Sequence, residues 1–153
     1  MSRGYNRVPD SGDIRAASVT MGAEVNTGSG TPLARKLGFK EGMRVVYVNP
    51  PEGFSVDGIE EPRARLSKGT DLVVFFTTER RALERRLGAL RGAIEPGGML
   101  WVAWPKRASG VATDVTEDVV RDVALPTGLV DTKVCAIDDV WSGLRLVVRR
   151  ELR

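Results

Sequence analysis

The stretch Glu95-Pro96-Gly97-Gly98-Met99-Leu100-Trp101-Val102-Ala103-Trp104-Pro105-Lys106 constrains the fold more than any other part of the chain. A helical pattern runs up to Glu95, Pro96 cannot continue it, and two glycines turn the chain. An apolar run follows and stops at Pro105 beside Lys106. Helix, tight turn, buried strand and exposed loop, in that order, form the return half of a strand–helix–strand crossover and so predict a parallel α/β sheet. Ligands of such sheets sit outside the carboxyl ends of the strands. The stretch therefore predicts a fold and points to a candidate site near Lys106.

The flanking sequence agrees. Residues 72–76 are continuously apolar, as a central strand covered on both faces must be. Thr77 or Thr78 then caps a helix over residues 79–94, in which Leu83, Leu87, Leu90 and Ile94 form one buried stripe. The next strand covers residues 99–104. Thr116, followed by Glu117 and Asp118, opens a helix that runs to about Leu125 and is broken by Thr127-Gly128. Residues 133–137 and 144–148 form a terminal antiparallel hairpin.

Upstream, Thr31 as N-cap and Pro32 at the first helical position start a short helix, with Leu33, Ala34 and Leu37 on one face and Gly38 at its end. A β-branched strand covers residues 43–48, and a short helix is expected at 59–67. Residues 1–30 carry scattered glycines and no sustained period, and read as a flexible tail. Within it Val19, Met21 and Val25 alternate loosely enough for a short edge strand. The expectation is one α/β domain over residues 31–153: a three-layer, mainly parallel Rossmann-like sheet with helices on both faces, ending in the antiparallel hairpin.

Composition removes several function classes. The 153 residues include no histidine, the commonest general base and metal ligand, and one cysteine, Cys135. A zinc or iron site is therefore not expected, nor is an internal disulfide, and a reducing cytoplasm is the expected setting. No apolar run is long enough to span a bilayer, and the start of the chain lacks the apolar core of a secretory signal, so no membrane partner is expected. The net charge of +3 comes mostly from arginines spread along the chain rather than gathered in one block.

Residues 71–150 resemble the carboxyl half of the class I S-adenosylmethionine-dependent methyltransferase fold: apolar strand, leucine-rich helix, Pro96-Gly97-Gly98, strand, helix and hairpin. More closely, residues 28–150 resemble a family of small bacterial proteins known only as a domain of unknown function. That likeness rests on Gly30-Thr31-Pro32-Leu33, Asn49-Pro50-Pro51-Glu52-Gly53-Phe54, Trp101-Val102-Ala103-Trp104-Pro105-Lys106, and the segment from Gly128 to Leu144 containing Cys135-Ala136-Ile137-Asp138-Asp139-Val140-Trp141-Ser142-Gly143. The resemblance implies a truncated methyltransferase-like fold and no established activity. Methyltransferases carry a glycine-rich loop after the first strand and an acidic residue ending the second, for the ribose. Here the first strand ends in Asn49-Pro50-Pro51, and the short link to residue 71 leaves no room for the second strand. The reading is no cofactor, with S-adenosylmethionine as the alternative.

Four loops converge at the predicted carboxyl edge and supply the candidate ligand-binding residues Asn49, Glu52, Thr77, Trp104, Lys106, Asp138, Asp139, Trp141 and Ser142. Lys106 suits an anion, Glu52 a general base if desolvated, and the indoles of Trp104 and Trp141 a planar ligand. Each has a local alternative: Asp138-Asp139 as turn residues, and Trp101 or Trp104 as core, because residues three apart on a strand face opposite sides. The function expected is a non-catalytic or regulatory domain binding a small anionic ligand or a protein at that edge. One alternative is an enzyme, a divergent methyltransferase using Glu52, Lys106 and Asp138 or Asp139. A nucleic-acid-associated protein working through Arg80, Arg81 and Arg85 is the other.

Overall fold

Leu72–Phe76 is the second of five strands, and all five of its residues are buried, as a continuously apolar run requires. The computed structural model describes residues 31–153. The tail and its possible edge strand lie outside the described residues. The chain divides into two compact units: residues up to 40 with 51–60, and residues 41–50 with 61–153.

In the smaller unit the helix α1 spans Leu33–Leu37, with Pro32 at its N-cap and Gly38, at φ 87°, closing it. The start thus falls one residue later than the Thr31-Pro32 signal implies, and no side chain caps it. Val56 and Ile59 form a tight turn by an isolated bridge, closed by a hydrogen bond from the Ile59 N–H to the Val56 carbonyl at 3.0 Å.

The larger unit holds the sheet. Its strands are β1 (Val45–Val48), β2 (Leu72–Phe76), β3 (Met99–Pro105), β4 (Leu129–Ala136) and β5 (Trp141–Val148). Their spatial order is β1-β2-β3-β5-β4. The first three are parallel, and β5 runs antiparallel between β3 and β4. The hairpin expected from sequence is therefore present, with β4 at the rim and β5 inside it. β4 begins at Leu129, earlier than its sequence suggests, and a register shift between Asp131 and Lys133 interrupts its pairing.

Two helices connect the strands: α2 (Arg80–Ile94) between β2 and β3, and α3 (Glu117–Ala124) between β3 and β4. The stripe Leu83, Leu87, Leu90 and Ile94 is buried. It packs with Val120 and Ala124 of α3 and with one face of the sheet, including Val46, Val48, Val73, Phe75, Val102, Trp104, Leu144 and Leu146. Both helices of this unit thus cover the same face. On the other face Leu72, Val74, Phe76 and Trp101 are equally buried.

No helix forms at residues 59–67. Pro62 lacks the N–H a helix needs there, and the chain runs extended instead. The N–H of Arg63 donates to the carbonyl of Val45 at 2.7 Å, and Arg63 bridges Val46 in parallel. The crossover from β1 to β2 therefore carries no helix in the larger unit. Among the described residues no helix is long and apolar enough to cross a membrane.

Candidate functional site

Among the described residues the parallel strands wind in one direction, β1-β2-β3, with no point where winding reverses and opens a crevice between strands. The carboxyl-edge loops do meet. β3 and β5 pair Trp104 with Ser142 and Pro105 with Trp141, and the Lys106 N–H donates to the Val140 carbonyl at 2.7 Å. The ring of Trp141 stands edge-on to Phe76, with centroids 5.1 Å apart at 89°. Asn49 Nδ2 donates to the Phe76 carbonyl at 3.1 Å. Asn49, Thr77, Trp104, Lys106, Trp141 and Ser142 thus share one edge of the sheet.

Most of these groups are occupied in holding that edge together. Asp138 Oδ1 accepts from the N–H groups of Val140 at 2.9 Å and Trp141 at 2.8 Å, which is turn chemistry. Thr77 is buried, and its Oγ1 accepts from the Glu79 N–H at 3.1 Å. Trp104 belongs to the core beneath α2 and α3, 7% exposed, and Trp101 is fully buried on the opposite face. Asp139 is exposed. Glu52 is an exposed residue of the smaller unit. Asn49 adopts the left-handed region at φ 57°, a conformation its short polar side chain tolerates.

The larger unit contains a cleft of about 440 Å³ between the carboxyl ends of β1 and β2 and the side of α2. Val46, Val48, Leu66, Phe75 and Asn49 are among the residues around it, with Val46, Val48 and Phe75 themselves buried in the core. Arg85 and Arg86 of α2 supply its charge. The Arg86 guanidinium carbon lies 5.9 Å from the centre of the Phe75 ring, a cation–π contact. No carboxylate, thiol, hydroxyl of Ser or Thr, or lysine amine lines the cleft. Tyr47 contributes to the wall of β1, and burial pushes its phenol above the ordinary value of 10.0, so it stays protonated across the physiological range.

The charges around the cleft are uneven. Along α2, Arg80 pairs with Glu84 at 3.0 Å and Arg91 pairs with Glu95, each four residues on. Arg81, Arg85 and Arg86 form no ion pair among the described residues. Sequence reasoning found Arg85 as a member of an arginine cluster but missed Arg86, Leu66 and Phe75 as cleft residues. Only the folded strand–helix contact brings Phe75 and Arg86 together. Among the described residues no group of three or more His, Cys, Asp or Glu side chains could hold a metal ion. No protein-family model and no curated protein matches the chain.

Proposed function

We propose that this chain is a non-catalytic binding domain of a reducing cytoplasm that holds a small anionic ligand in the cleft at the carboxyl ends of β1 and β2. The observation that carries this reading is the cleft's lining: two arginines without carboxylate partners, and no carboxylate, thiol, lysine amine or Ser or Thr hydroxyl beside them. A volume of about 440 Å³ falls in the range of small-molecule sites, roughly 300–1,000 Å³. A thermal-melt screen of purified protein against small anions, neutral compounds and cations tests it. Anions should raise the melting temperature and the other classes should not, because a ligand that binds only the folded state stabilises it. A screen in which no anion shifts the transition refutes the reading.

The truncated methyltransferase-like, Rossmann-like fold is proposed with it. Its support is the succession β2, α2, Pro96-Gly97-Gly98, β3, α3 and hairpin, with β5 antiparallel to β3. The residues present do not fit S-adenosylmethionine. β1 is followed by Asn49-Pro50-Pro51 where backbone N–H groups would approach the ligand. Among the described residues, β1 is bridged on the side away from β2 only by Arg63, so none of them forms a neighbouring strand there that ends in a carboxylate for the ribose. The melt screen should include this cofactor, and the expected result is no shift.

A further inference from the structure

Arg63 and the arginines of α2 are separated along the chain by β2, and the fold brings them to one face of the sheet. Arg63 bridges Val46 in parallel, at the rim beyond β1. Val46 belongs to the core beneath α2, and bridge partners share a face, so Arg63 falls on the face that α2 covers. Arg85 and Arg86 of α2 line the cleft together with Val46. Arg81 lies one helical turn before Arg85 on the same side of α2. Arg63, Arg81, Arg85 and Arg86 are all exposed.

The charge on this face is not balanced locally. From Glu61, where the larger unit resumes, to the end of α2 at Ile94, the chain holds eight basic and four acidic residues, against 15 basic and 16 acidic in the remainder. Two of those four acids are already engaged, Asp71 with Arg44 and Glu84 with Arg80. Arg63, Arg81, Arg85 and Arg86 form no ion pair among the described residues. A small anion in the cleft would meet Arg85 and Arg86 and leave Arg63 and Arg81, which do not line it, unused. A polymer of anions laid along the face would meet all four.

We infer that this face binds the phosphate backbone of a duplex nucleic acid. Duplex binding shares Arg85 and Arg86 with the small-ligand cleft but goes beyond it and does not depend on its being filled. It needs charge density along a face rather than several forks meeting on one atom, because its free energy comes from counterions released as phosphates are neutralised. Arginine suits phosphate, whose oxygens its planar fork meets two at a time. The exposed large hydrophobic residues among those described are Val111, Leu125, Val134 and Leu152, and none lies between Glu61 and Ile94. A protein interface needs an apolar or aromatic centre, and a membrane-surface helix needs apolar side chains to insert; this face exposes neither. Phe75 is buried under the Arg86 guanidinium and the Tyr47 hydroxyl is buried, so a base finds no ring to stack on, which favours a duplex over a single strand.

Fluorescence anisotropy of the full chain with short labelled DNA and RNA duplexes, from about 50 to 200 mM salt, tests this. Both should bind, with log affinity falling against log salt at a slope of about −0.9 for each arginine engaged, or roughly −3 to −4 for the four. Arg63→Gln and Arg81→Gln should each weaken binding and make that slope shallower by about one. Lys133→Gln removes one charge from β4, at the opposite rim of the sheet, and should change neither. All three residues are exposed, so matching melting curves will show that the variants fold. Tighter binding of one duplex supports backbone binding and identifies that acid as the source of the phosphates. Poly-glutamate or phosphatidylserine vesicles bound as tightly as the duplexes overturn the nucleic-acid class, and a single strand bound as tightly overturns the duplex. A slope near zero, or equal losses from Lys133→Gln and Arg81→Gln, overturns the assignment to this face. If no duplex binds while small anions still raise the melting temperature, duplex binding falls and the small-ligand reading stands.

Discussion

The backbone N–H of Arg80 donates to the carboxylate of Asp114 across 2.7 Å and 34 residues of chain. Sequence reasoning looks for the cap of α2 at Thr77 or Thr78. The residue at the N-cap is Glu79, whose own side chain caps nothing. The cap comes instead from the loop before α3. That loop is tied to the same place by Thr113 Oγ1, which donates to the Thr78 carbonyl at 2.7 Å, and by the Asp114 N–H on the same carbonyl at 3.3 Å. One residue on, Val115 is buried in the core. The Asp114 carboxylate thus does two things: it satisfies an orphan N–H of α2 and places negative charge at the positive end of the helix.

Asp114→Ala removes that cap and should cost about 1 kcal/mol of folding stability, within the roughly 0.5–2 kcal/mol span of N-cap deletions. Asp114→Asn keeps an acceptor and should retain most of it. Urea unfolding followed by circular dichroism checks both. Equal stability of Asp114→Ala and the parent would show that the contact contributes nothing.

The fold was legible where burial writes itself into composition. The apolar run Leu72–Phe76 and the stripe Leu83, Leu87, Leu90 and Ile94 have one solution each, a strand covered on both faces and a helix packed on one. Residues 59–67 were not legible, because a few apolar positions around Pro62 fit a short helix by count, while the pairing that decides the matter, Arg63 with Val45 and Val46, is made with another strand. The site was harder still. Loop residues such as Asp138 and Thr77 carry suitable chemistry, but their hydrogen-bonding capacity goes to nearby N–H groups. The cleft depends on α2 lying beside β1 and β2 and on Arg86 reaching Phe75. Neither has a local signature.

Asp131 and Arg121 give a pH dependence with a defined sign. The hydrogen bond from Arg121 Nε to Asp131 Oδ2, at 2.9 Å, holds the Asp131 carboxyl below its ordinary value of 3.8. A group lowered in the folded state adds stability that is present above the unfolded value and lost as pH falls through the folded one. Asp131→Asn should therefore lower stability slightly at neutral pH, with the difference from the parent shrinking as pH drops below about 3.8. The pair is partly buried, with about a third of each side chain exposed, so salt should shrink it only in part. Denaturant titrations at pH 7 and pH 3 make the comparison, and a gap between variant and parent that is as wide at pH 3 would contradict it.

Tyr47 works in the opposite direction. Burial raises its phenol above 10.0, so the folded chain resists ionisation that the unfolded chain accepts. Its contribution is complete below the unfolded value and is lost as pH rises above about 10. In Tyr47→Phe the alkaline fall in stability should be shallower than in the parent. Melting temperatures between pH 8 and pH 11 measure this, and parallel curves for the two proteins would show that Tyr47 does not govern the alkaline limb.

Gly97 and Gly98 stand side by side in the turn from α2 to β3, yet only Gly98 should be sensitive to substitution by alanine. A Cβ at Gly98 would lie 2.7 Å from the Thr70 carbonyl oxygen, 2.9 Å from the Ile94 carbonyl oxygen and 3.0 Å from the Ile94 Cβ. Two of those atoms are backbone. The Ile94 carbonyl also accepts the Gly98 N–H at 2.8 Å, so relieving the clash would stretch the turn that closes α2. The Met99 N–H donates to the Asp71 carbonyl at 2.8 Å, and the register of β3 on β2 starts there, with Leu72 opposite Met99. Any shift at Gly98 is therefore passed directly into the central pairing of the sheet. A Cβ at Gly97 would meet nothing within 4 Å. Gly98→Ala should cost roughly 1–3 kcal/mol, the scale of an overpacked site, and Gly97→Ala should fall within about 0.5 kcal/mol of the parent. Chemical denaturation of the two single variants decides it. Equal losses would mean that the turn needs glycine for backbone freedom alone, and that the close approach of Gly98 to Thr70 does not set the register of β3.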